Sequence, residues 1–156
     1  MTQTVQGYGL RRRSREMALQ LLFQNEFLVH GVPATPGSPQ ALKNTPKEVL
    51  RRFVQDFSID AEVAEYGSRL FLGTIENLAK IDADIQKNSA HWKTTRMGIV
   101  DLSIMRVAVF EMLLMNPSIP PSVAINEAVE LAKKYGSTES GAFVNGILDQ
   151  VGRALT

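Results

Sequence analysis

Cysteine is missing altogether, histidine occurs twice and tryptophan once. Without thiols there is no disulfide framework and no thiolate chemistry, a usage that fits a reducing cytoplasm. His30 and His91 are far apart and neither has a metal-ligand spacing, so no transition-metal site is expected. No apolar run approaches the roughly 20 residues that a membrane helix needs. The opening MTQTVQGYGLRRR has no apolar core ahead of its charges, which argues against a signal peptide. Gly67, Gly73 and Gly98 are isolated, so no phosphate-cradling loop forms. The carboxylates are scattered and read as solvated helix faces. Neither a cofactor nor catalysis is therefore expected.

What is present is helical periodicity from end to end. The chain has 156 residues, 44% apolar and 21% charged, enough for one globular domain with a core. Residues 11–30 read as a helix whose stripe is Met17, Ala18, Leu21, Leu22, Asn25 and Leu28. Residues 31–46, with four prolines, read as a loop, and residues 1–10 as a flexible tail. Thr45, Pro46 and Glu48 have the spacing of a capped helix start, with Val49, Leu50, Phe53 and Phe57 on the buried face. Asp60 is placed to cap a third helix, and a shorter one carries Ile81 and Ile85.

Asp101 is placed to cap a helix that is apolar nearly all round, which predicts the central helix of the fold. Pro121 opens another, with Ala124, Ile125, Ala128, Leu131 and Ala132 on one face, a Glu130–Lys134 pair on the other, and Gly136 suited to a left-handed cap. The last helix begins near Ser140. The expected fold is all-α: a compact single-domain bundle of six to seven helices.

Net charge is only +1, which hides an asymmetry. Arg11, Arg12, Arg13 and Arg15 stand together with no acid before Glu16, whereas residues 56–84 carry seven acids against Arg69 and Lys80. Cations at a helix start oppose the helix dipole, so this cluster points to a task other than stability. Guanidinium forks suit phosphates. Four phosphate contacts would contribute about −3 to the log–log salt slope at most, at roughly −0.7 each on a single strand. Bases would need stacking platforms. Tyr8, Phe23 and Phe143 are candidates, although Phe23 and Phe143 read equally well as core. Trp92 reads as core or as a subunit contact.

Two blocks carry a resemblance. One is RRRSRE at 11–16; the other is PSVAINEAVELAKKYGSTESGAFVNGILD at 121–149. Both resemble the NusB family of transcription antitermination factors, which implies an all-helical, non-catalytic protein. The resemblance further implies binding of boxA-type RNA with the small-subunit ribosomal protein NusE, and through it an RNA polymerase antitermination complex. Under it, Arg11, Arg12, Arg13 and Arg15 match the arginine-rich RNA motif. Phe23 matches an aromatic position near the RNA or partner surface, and Glu139 and Phe143 match positions near the RNA surface. Asp101 matches an acidic position on the face for the ribosomal protein. Asn126 is read as bonding backbone inside the fold, and Asn145-Gly146 as a close helix approach. Some members of the family form homodimers, and the sequence leaves that open here.

Two rivals stand beside this reading. A NusB-like module also occurs in ribosomal RNA methyltransferases, which need a glycine-rich cofactor loop and a catalytic cysteine. A purely protein-binding helical scaffold, with arginines for solubility, is the other.

Overall fold

The computed structural model describes residues 2–30, 36–39, 41, 44–115 and 119–155. Among them are seven α-helices, one 3-10 turn and no strand. The helices divide into two compact units, Met1–Ile75 and Glu76–Thr156.

The first unit holds α1 (Thr2–His30), α2 (Pro46–Asp56) and α3 (Ala61–Glu76). Helix α1 starts nine residues before Arg11, because nothing between Thr2 and Leu10 interrupts the backbone ladder; Gly7 and Gly9 weaken it by only about 1 kcal/mol each. The arginines therefore lie beyond the first turn, where the dipole no longer opposes them. The predicted stripe is buried at Met17, Ala18, Leu21, Leu22 and Asn25. Helix α3 crosses α1 closely. A Cβ on Gly67 would lie 2.6 Å from the Met17 sulfur and 3.2 Å from the Ser14 carbonyl, so only glycine permits this approach. Beside the crossing, the Ser14 hydroxyl lies 3.1 Å from the Val63 carbonyl and 2.9 Å from that of Leu10, sharing its one proton between them.

Helix α2 begins as its sequence predicts. Thr45 Oγ1 accepts from the Glu48 N–H at 3.3 Å, and Pro46 opens the first turn. Val49 and Phe53 are buried, but Phe57 is not: it is 67% exposed and leans on Phe53 with ring centres 4.8 Å apart. The helix stops at Asp56, and Phe57 leaves the buried stripe as the chain turns at Ser58, whose φ is positive at 48°. Asp60 directs its carboxylate to Arg13.

The second unit holds α4 (Leu78–Lys87), the turn Thr94–Arg96, α5 (Ile99–Leu114), α6 (Pro121–Tyr135) and α7 (Ser140–Ala154). Helix α5 is its centre. Every residue from 102 to 112 is buried, and α5 packs on α4, α6 and α7. Arg106 ties α5 to α4 through two 2.8 Å bonds to the Asp82 carboxylate. Helices α6 and α7 form an antiparallel hairpin. Gly152 brings α7 within 3.4 Å of Ile125 Cδ1, counted from where its Cβ would stand.

Several local readings are corrected. Helix α5 starts at Ile99, with Gly98 in the cap position, so Asp101 sits in the first turn, where its charge favours the dipole. Gly136 is extended, not left-handed; it is small because Ser140 folds over it. A Cβ there would press on the Ala132 carbonyl and the Ser140 side chain. Asn126 is exposed, while its neighbour Glu127 is 1% exposed, since α6 turns about 100° per residue and its buried face falls on Glu127. Asn145 and Gly146 are exposed, with open space beside Gly146, so they mark no helix approach. Ile125 is half-buried at the rim of the hairpin rather than fully enclosed. Glu130 lies 3.5 Å from the Lys133 ammonium, and Lys134 lies over the Tyr135 ring, 5.1 Å from its centre.

Candidate nucleic-acid interface

On α1 the four arginines have different fates. Arg11 and Arg13 are exposed and Arg12 is half-buried. Arg11 lies over the Tyr66 ring of α3, its guanidinium carbon 4.5 Å from the ring centre, a cation–π contact. Arg13 reaches the Asp60 carboxylate at 3.1 Å, and both groups stay open to solvent. Arg15 is only 3% exposed. Helix phase explains this: Arg15 follows Ser14 onto the face that carries Met17 and Ala18, so its cation serves inside the protein. Two hollows flank the exposed arginines. One is lined by Arg11, Ser14, Glu62, Glu65, Tyr66 and Arg69; the other by Gly9, Arg13, Asp60 and Glu62.

Further along α1, Phe23 stands edge-on to Phe27 with ring centres 5.1 Å apart. Phe23 is at the border of exposure and Phe27 is 65% exposed. The i, i+4 spacing places both rings on one side of the helix. Tyr8 has its side chain outside the described residues.

The second unit assembles a separate hollow. Asp101, Glu139 and Phe143 line it together with Trp92, Arg96 and Ser137. Trp92 is 57% exposed and meets the half-buried Phe143 edge-to-face at 6.1 Å. It is neither core nor loose. Gln86 holds its segment, donating to the Trp92 carbonyl at 2.9 Å and accepting from the Thr94 N–H at 2.9 Å. Opposite, the Ser140 hydroxyl accepts from the Ser137 N–H at 2.9 Å, which sets the turn that carries Glu139. The hollow thus offers two aromatic rings, one cation and two carboxylates. Those are groups for stacking a base and bonding its edges, or for meeting a basic protein. Trp92 and Arg96 are the members that sequence reasoning missed. The one available signal was a lone tryptophan beside Lys93 and Arg96 between two helices.

Among the described residues no three His, Asp or Glu side chains are placed to hold a metal ion.

The profile of the NusB family matches residues 12–153. The chain belongs to the NusB family. A transcription antitermination protein NusB of Bdellovibrio bacteriovorus is 46% identical over 144 residues, covering 92% of this chain and 96% of that protein. One from Geobacter is 39% identical over 146 residues, covering 94% and 96%. Both relatives carry the name of a transcription antitermination protein. Among solved structures, T. maritima NusB superposes with a TM-score of 0.74 at 34% identity, covering 92% of this chain and 90% of that one. A chain from the crystal structure of the antitermination factors NusB and NusE in complex with dsRNA superposes with a TM-score of 0.73 at 24% identity, covering 93% and 97%. That last likeness establishes the NusB fold alone. No described helix is long and apolar enough to cross a membrane.

Proposed function

We propose that this protein is a cytoplasmic, non-catalytic transcription antitermination factor. It binds single-stranded boxA-type RNA together with the ribosomal protein NusE and so enters the antitermination complex of RNA polymerase. The observation that carries the reading is the run of Arg11, Arg12 and Arg13 outside the core of α1 in a chain of the NusB family. Guanidinium groups suit phosphates, and since these three fan about 100° apart per residue around α1 they need not all meet one run of the strand; Phe23, further along α1, serves as a platform. Arg15 leaves the contacting set. In the second unit Glu139 and Phe143 serve the RNA and Asp101 the ribosomal protein, whose basic character an acidic first turn complements.

The deciding test is fluorescence anisotropy with labelled boxA-type RNA and a scrambled RNA, each with and without purified NusE. Tighter, sequence-selective binding on adding NusE is the expected result. Equal, weak binding of both RNAs in both conditions would reduce the arginines to a general charge patch and leave a protein-binding scaffold.

A further inference from the structure

Asp60 is the acid that meets the exposed Arg13 guanidinium. Its carboxylate lies 3.1 Å from the Arg13 guanidinium, and both side chains are more than half exposed, at 63% and 57%. Exposed pairs contribute little to folding stability, so structural need does not account for this one. Its neighbourhood repeats the theme. Glu62 lines both hollows beside the arginines, and Glu65 lines the one that Arg11 borders. The acids of α3 thus stand along the arginine run of α1.

We infer that Asp60 is an intramolecular competitor for Arg13, a carboxylate that an RNA phosphate must displace. The inference rests on the RNA-binding reading above and deepens it. The competition is an exchange of hydrogen-bond acceptors with no covalent step. Arg13 leaves the Asp60 oxygen and takes a phosphate oxygen, while Asp60 returns to water. The exchange has a direct consequence for affinity. A lone phosphate contact gains little, because it only replaces an acceptor already present. A strand that engages Arg11 and Arg12 as well holds its phosphate beside Arg13 at high local concentration and wins the exchange. Asp60 therefore lowers the affinity of any strand in proportion to how fully that strand engages Arg13.

The test is Asp60→Asn in the full chain, with binding to labelled boxA-type RNA and to scrambled RNA followed by anisotropy across a salt series. Asparagine keeps the shape and the helix-start chemistry but removes the charge. The expected gain is about twofold to fivefold in affinity, the range an exposed pair covers, and at least as large for boxA-type as for scrambled RNA. The salt slope should steepen by up to about 0.7, one phosphate contact. Two further variants make the result specific. In an Arg13→Ala background the gain should vanish, because no cation is left to release. Glu62→Gln, which removes an equal charge from the same hollows, should change affinity less than Asp60→Asn does. Unchanged affinity in Asp60→Asn while Arg13→Ala weakens binding would overturn the competition and leave the RNA reading standing. A gain that persists without Arg13 would also overturn it, as a general effect of lost negative charge. Arg13→Ala binding both RNAs as the wild type does would remove Arg13 from the RNA surface and the competition with it.

Discussion

The arginine run of α1 and the hollow of the second unit are built in opposite ways. Arg11, Arg12 and Arg13 are neighbours in sequence, and a single helical turn presents them. The hollow draws Trp92, Arg96, Asp101, Glu139 and Phe143 from three separate stretches of chain, held by buried α5, the Gln86 bonds and the Ser140 turn. A locally encoded surface survives small changes in packing, because each residue brings its own charge. An assembled surface lasts only while its scaffold does. The same contrast separates their energetics. The first unit's surface rests on solvent-exposed contacts, whereas the second's rests on close-packed helices.

The largest test of that contrast is Leu148→Ala, in the fully buried face of α7. It should cost about 2–5 kcal/mol in denaturant unfolding, since it opens a cavity in the core of the second unit. A cost under about 0.5 kcal/mol, typical of surface sites, would show the scaffold to be far softer than described. Next comes replacement of Arg11, Arg12 and Arg13 together by Ala. The log–log salt slope of RNA binding should become shallower by at most about 2, at roughly 0.7 per phosphate, with the melting temperature nearly unchanged. Arg15→Ala should do the reverse, lowering the melting temperature because a cation is lost from a buried site. If the two sets behaved alike, burial would not be what separates them.

Trp92→Ala sharpens the other side. Removing an exposed ring should weaken RNA binding by about 1–3 kcal/mol, the worth of one stacked base, and leave unfolding unaffected. RNA affinity equal to the wild type would return the hollow to the protein partner alone. The smallest effect concerns the first unit's surface electrostatics. The hydrogen bond from Arg51, aided by its charge, holds the Glu48 carboxyl below its ordinary value of 4.5. The unfolded chain therefore binds that proton more readily than the folded one. The stabilisation is complete above about pH 4.5 and disappears as pH falls through the lower folded value. Titration of Glu48 by NMR should show its pKa returning toward 4.5 in Arg51→Ala; no change would break the assignment.

Much of the fold was legible because helices announce themselves locally. The apolar period of α1, the Thr45–Pro46 start, the all-round apolarity of α5 and the Ser140 start of α7 each depend on residues within a few turns. Of the candidate site residues, the arginine run was legible as a charge cluster, and the structure leaves Arg11 and Arg13 exposed; that Glu139 and Asp101 line one hollow was not legible. What failed was every reading that needed to know which face a neighbour covers. Arg15 has the same side chain as Arg13, yet one faces inward and the other outward. Asn126, read as bonding backbone inside the fold, is exposed, and its neighbour Glu127 is the buried one. Phe57 lies outside the core although its place on the apolar stripe argued for burial, and of the two readings of Trp92 the core one fails.

The sequence by itself determined an all-α fold of six to seven helices carrying a cationic run on the first. Backbone propensity, capping and charge are properties of residues close in the chain. Only the tertiary structure decided which of those cations meet solvent, that Asp60 answers Arg13, and that Trp92 and Phe143 share a hollow with two carboxylates. Burial and proximity depend on residues distant in sequence, and no local pattern encodes them.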